Sequence, residues 1–174
     1  MTTLDARRYP IGPISLPERR DEAKLREFAQ ALRQNAREAE RTFQGLSDEQ
    51  LGATYRPGSF TVRQLAHHLA DAHEQGFMRF RWGLTEEGPT ILPMNEERWA
   101  ELPDYTLAPE VSLAVFQGVN ARWTVLLEAL DPQALSRTIR HPQEGDQDLW
   151  RLLAKHEWHV RHHLAHARLA LLGG

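Results

Sequence analysis

Nine histidines occur in 174 residues, and five of them fall within one stretch, KHEWHVRHHLAHA, from Lys155 to Ala167. Neutral imidazole is the commonest side-chain ligand of zinc and its neighbours, so the question is which rings share a helix face. On a wheel of about 100° per residue with Leu152 at zero, His159 and His163 fall at about −20° and +20°. His156 falls at about +40°, His166 at about −40° and His162 on the flank at about −80°. The stripe that a bundle helix reserves for leucine therefore carries imidazoles in consecutive turns. His159 and His163 have the i,i+4 spacing at which two side chains converge on one ion. The alternative, a pair of core histidines bonded to backbone carbonyls, must find partners for four ring nitrogens.

A second group lies in VRQLAHHLADAH, which contains His67, His68 and His73. With Leu65 at zero, His68 lies at about −60°, bordering the core, and His67 near about 200°, facing away from it. The wheel selects His68 as the partner of His159 and His163; a slip of one residue would select His67. Three imidazoles from two helices leave a coordination position open, as catalytic sites do. HEWHV is not the H-E-x-x-H of metalloproteases, because Val160 stands where the second histidine would be.

Four helices are expected to position these residues. In the first, Pro17 to Leu46, residues Leu25, Phe28, Leu32, Ala36, Ala39, Phe43 and Leu46 recur at three- and four-residue steps, with Pro17 suited to the first turn. Ser47 to Gln50 fits a capping box for a short turn, and Pro57-Gly58 marks a loop. The second helix opens at a Thr61/Gln64 capping box and runs to about Glu86. The third opens after Pro109, and the fourth covers about Asp148 to Leu172. Between the second and third lies a proline-rich excursion, expected at residues 87–109 beside the metal. The reading is all-α: a four-helix bundle with a long loop insertion, one domain over residues 1–174.

The composition fits a globular protein, 41% hydrophobic and 26% charged. A net charge of −3 argues against nucleic acid or an anionic membrane as partner. The absence of cysteine excludes disulfides, a thiol nucleophile and any thiolate-held zinc or iron–sulfur centre. The start, MTTLDARRYPIG, has no apolar leader segment, and no apolar run reaches membrane-spanning length. A cytoplasmic location is expected.

Five segments together carry a family resemblance: RYPIG (Arg8 to Gly12), TVRQLAHHLADAH (Thr61 to His73), LTEEGPTILP (Leu84 to Pro93), WAELPD (Trp99 to Asp104) and WHVRHHLAH (Trp158 to His166). In this order and spacing the chain resembles the DinB/YfiT-like metal-dependent hydrolases, four-helix bundles that include bacillithiol S-transferases. The resemblance implies one divalent metal on His68, His159 and His163, and a homodimer. Zinc is the default; nickel and iron also suit nitrogen ligands.

Two reactions share such a site. The ion can activate water against a small ester or amide, or bind a low-molecular-weight thiol as thiolate for S-transfer. A third reading is a non-catalytic metal-binding bundle, whose mark would be metal-dependent melting without turnover. Candidates for a general base are His156, His166 and Glu74. The tryptophans read as packing residues, with Trp99 the best candidate for a pocket wall. Among Arg63, Arg79, Arg81 and Arg161, expected at the surface or in ion pairs, one could hold a substrate carboxylate or phosphate.

Overall fold

The computed structural model describes residues 6–173. Residues 1–5, which begin the segment read as lacking a leader, and residue 174 lie outside the described residues. Four long helices dominate: α1 (Glu22–Phe43), α3 (Val62–Thr85), α5 (Pro109–Ala129) and α6 (Leu149–Leu171). Short helices α2 (Asp48–Gly52) and α4 (Glu96–Trp99) lie in the connections. A two-stranded antiparallel hairpin, β1 (Thr138–His141) and β2 (Gly145–Asp148), leads directly into α6. Among the described residues no helix is long and apolar enough to cross a membrane.

The local signals act largely where the sequence places them. Thr61 and Gln64 form the reciprocal capping box of α3, and Ser47 with Gln50 does the same for α2. Pro109 occupies the first turn of α5, and Asp148 caps α6 by accepting from the Arg151 amide. The first helix is shorter at both ends, closing at Phe43 and not at Leu46, since Gln44 turns extended. It begins at Glu22, not at Pro17, because the Asp21 carboxylate accepts from the Lys24 amide and fixes the start there.

Chain order is not spatial order. α1 packs on α5 and α6, and α3 packs on the same two, so α1 and α3 lie across the diagonal. This brings α3 and α6, the two histidine-bearing helices, side by side. Their approach is close because Gly76 and Gly83 face α6. A Cβ on Gly76 would lie 2.3 Å from His156 Cε1, and one on Gly83 would lie 2.5 Å from Leu149 Cδ2.

The apolar interior is divided. One cluster gathers Phe28, Phe77, Phe80, Trp123, Trp150 and Leu153; the other gathers Phe43, Leu65, Leu69, Phe116, Val160 and Leu164. On α3 the break falls between Ala70 and Phe77, and on α6 between Ala154 and Val160. His73, His156 and His159 occupy that gap.

The proline-rich excursion is ordered by long-range ties. Residues 89–91 pair with the hairpin: the Ile91 amide donates to the Arg140 carbonyl at 3.0 Å and the Arg140 amide to the Pro89 carbonyl at 2.9 Å. Further on, the Tyr105 hydroxyl donates to Asp71 at 2.5 Å. The result is a wall of residues 93–97 facing the α3–α6 seam.

Candidate metal centre

Because α3 and α6 are adjacent, His68 meets the two rings projecting one turn apart from α6. His159 Nε2 lies 3.2 Å from His68 Nε2 and 3.1 Å from His163 Nε2. His68 is fully buried and the other two are half-buried. Among the described residues, these three are the histidine and carboxylate group whose ligand atoms lie close enough together, within 4.8 Å, to hold one ion. Two nitrogens bound at about 2.0–2.1 Å to a tetrahedral zinc would stand about 3.3 Å apart, near the observed spacing.

Protonation favours a cation at the centre of this arrangement. A single N–H on His159 cannot be given fully to both neighbours, whereas an ion satisfies three lone pairs together. Behind the cluster, His163 Nδ1 and His166 Nδ1 are 3.3 Å apart, and His166 Nε2 lies 3.3 Å from the Arg8 carbonyl. If His163 offers Nε2 as ligand, its Nδ1–H donates to His166, whose Nε2–H donates to Arg8. Every tautomer in that chain is then fixed, as outer partners of metal-bound histidines require. Tyr55 stacks on His166 at 3.8 Å and holds the ring in place.

Burial keeps these rings neutral. Desolvation pulls the His68 pKa down to about 4. Desolvation, followed by the mutual repulsion of the clustered imidazoles, holds His159 and His163 well below the usual histidine value. Neutral imidazole is the form that binds a metal.

The cluster opens onto a cleft of about 640 Å³ between α3, α6, the hairpin and residues 93–97. That volume suits a small molecule. His68 and His159 line one part of it, and His156, Arg79, Glu96 and Lys155 also face it.

The other predicted residues find definite places. His67 is not a member of the cluster, yet it does not face solvent either. It is buried under the excursion, 2.7 Å from Ser112 Oγ and 3.1 Å from the Leu107 carbonyl. His162 stacks on Trp158 at 4.4 Å. Of the three candidate bases, His156 lines the cleft, His166 sits behind His163, and Glu74 is exposed outside the cleft lining. Trp99 is half-buried but does not line the cleft; that wall comes from the residues preceding it, Pro93 to Glu97.

The carboxylate that sequence reasoning missed is Glu96, whose Oε2 lies 3.7 Å from His68 Nε2. Desolvation, with a smaller contribution from Glu97, raises its carboxyl above the ordinary value. Its segment has no periodicity, so nothing local pointed to it.

Residues 31–167 match the DinB superfamily. A protein of Geobacillus kaustophilus, provisionally named a metal-dependent hydrolase, is 41% identical over 95% of this chain and 94% of its own length. A similarly named protein of Bacillus mycoides is 39% identical over 91% of this chain and 92% of its own. Among solved structures, YfiT from Bacillus subtilis, described as a probable metal-dependent hydrolase with an unusual four-helix bundle topology, superposes with a TM-score of 0.89. It is 37% identical, covering 94% of this chain and 95% of that one. A mycothiol-dependent maleylpyruvate isomerase shares the fold at a TM-score of 0.65 and 18% identity, over 84% of this chain and 62% of that one.

Proposed function

The chain belongs to the DinB superfamily, and on that footing we propose that it is a metal-dependent hydrolase of small molecules, with His68, His159 and His163 holding one divalent ion. The observation that carries this reading is the convergence of three neutral Nε2 atoms beside a cleft of about 640 Å³. Zinc is the first choice of ion, since the reaction needs no redox change; nickel and iron suit the same nitrogens. A divalent ion there supplies Lewis acidity, which polarises an ester or amide carbonyl and lowers the pKa of water to about 7.

The chain's own residues do the rest. His166 and the Arg8 carbonyl hold His163 in the tautomer that presents Nε2. Glu96, facing the cleft beside His68, accepts the proton shed by the attacking water and returns it to the leaving group. Its raised pKa moves it toward the working range of a general base. The competing reading places a low-molecular-weight thiol, deprotonated, where the water would be, giving S-transfer to an electrophile.

The test has two parts. Metal analysis of the purified protein should find close to one ion per chain, lost in His159→Ala and His163→Ala. The zinc-loaded protein is then assayed on a panel of small esters and amides, beside small thiols offered with a bimane electrophile. Hydrolysis that needs the metal, needs no thiol and drops in Glu96→Gln is the expected result. Thiol conjugation without hydrolysis would replace the hydrolase with the transferase. Metal binding with neither activity would leave a binding module.

A further inference from the structure

Four arginines are candidates for holding an anionic substrate group, and the structure separates them. Arg63 Nη2 donates to Asp48 at 2.7 Å, Arg161 pairs with Glu157 at 2.6 Å, and Arg81 lies over the Phe77 ring. Arg79 differs. It is half-buried in the cleft wall, and among the described residues no carboxylate pairs with it. Its Nη2 donates to the Leu92 carbonyl at 2.7 Å, while its buried Nε has no partner. The carboxylate whose field reaches it, Glu144, already accepts from Lys155 and from Gln147. A guanidinium withdrawn from water without a counter-charge is costly, and its planar fork matches a carboxylate's two oxygens.

Position gives the charge a use. His68, Ala72, Gln75 and Arg79 line the cleft along one stripe of α3. Arg79 follows His68 by eleven positions, a rise of about 16 Å along the axis before the arginine's own reach is subtracted. Leu152 and Ile139 line the cleft beyond the histidine cluster, so its walls there are partly apolar.

We propose that this cleft receives small molecules carrying a terminal carboxylate, which Arg79 binds at the end remote from the histidine cluster. The substrate class is therefore an ester, amide or thiol with an apolar body and an anionic tail. This rests on the reading that the reacting group sits at His68, His159 and His163.

The experiment compares two probes that differ only at the tail: 6-mercaptohexanoate and 6-mercaptohexanol, titrated calorimetrically into the zinc-loaded protein. Metal content is measured in every sample. The carboxylate probe should bind at least about tenfold tighter to the wild type. That preference should vanish in Arg79→Gln and survive in part in Arg79→Lys. If Arg79 merely braces the Leu92 carbonyl, its loss moves both probes together and the preference stays. Equal binding by the wild type, binding of neither probe to zinc-loaded protein, or a preference that persists in Arg79→Gln would overturn the proposal. Should no ion be retained, the hydrolase reading falls. The comparison is then made on metal-free protein with hexanoate against hexanol, where an Arg79-dependent preference still supports the anionic tail and its absence rejects it.

Discussion

Gly76→Ala tests the packing on which the site depends. In an ordinary helix interior this change stabilises by about 1 kcal/mol, since glycine has the larger conformational entropy to lose. Here the added Cβ would lie 2.3 Å from His156 Cε1 and 2.5 Å from both ring nitrogens, against about 3.5–4.0 Å for normal contact. The ring would have to retreat by about 1 Å or more. Trp123, His73 and His159 flank it at ring-centroid distances of 5.8, 6.4 and 6.4 Å, so its room to retreat lies toward the cleft that it lines. Overpacking of this kind costs about 1–3 kcal/mol. Net destabilisation of about 1 kcal/mol is expected, opposite in sign to the helix propensity. Removing the ring removes the clash, so Gly76→Ala should stabilise the His156→Ala background by about 1 kcal/mol. Urea denaturation of the four proteins, read as midpoint shifts at constant m, gives the cycle. Stabilisation by Gly76→Ala in both backgrounds, or an equal cost in both, would refute the close approach of α3 to α6.

Acid should destabilise the metal-free protein. Burial holds His68 near about 4 and His73 near about 3, against 6.5 when unfolded, so their contribution is whole above pH 6.5 and is lost as pH falls toward 4 and 3. Urea midpoints at pH 7.5, 6 and 5 should fall in that order; a constant midpoint would contradict the burial of these rings. His166→Ala should leave the three clustered histidines in place yet weaken zinc binding by about 10–100-fold, measured by chelator competition, because His163 loses the partner that fixes its tautomer. Self-association is expected through the outer face of α5, where Val111, Val115 and Val125 are 53%, 43% and 66% exposed. Sedimentation at micromolar concentration should show a dimer that Val115→Glu dissociates, and a wild-type monomer would count against it.

The bundle and the histidine cluster were legible because their signals are local. Apolar residues at three- and four-residue steps, the Thr61 and Ser47 capping boxes and the His159/His163 spacing each depend on a few neighbouring residues. The wheel's choice of His68 over His67 needed only the pitch of one helix. What escaped the sequence depends on contacts between distant segments. Glu96 comes near His68 because residues 89–91 pair with Arg140, fifty positions away. His67 is buried because Leu107 and Ser112 fold over a face that the wheel assigns to solvent. That no described carboxylate pairs with Arg79 is likewise invisible until Glu144 is seen engaged by Lys155. Trp99 failed as a wall residue for the same reason: lack of periodicity identified the right segment but not which of its residues turn inward.

This division suggests how the site is partitioned between constancy and change. The three nitrogens project from the middles of long helices whose orientation is set by packing on α1 and α5, which suits a centre that must hold its geometry closely. Glu96 and the hairpin residues lie on connections that touch the bundle through fewer contacts and tolerate substitution more readily. Arg79 belongs to both groups, since it springs from α3 yet holds the excursion through the Leu92 carbonyl. Changes in the excursion can therefore alter where the guanidinium points without disturbing His68, about three turns away on the same helix. A bundle built this way can keep its histidine cluster and reshape the cleft beside it by remodelling residues 89–97 and the hairpin.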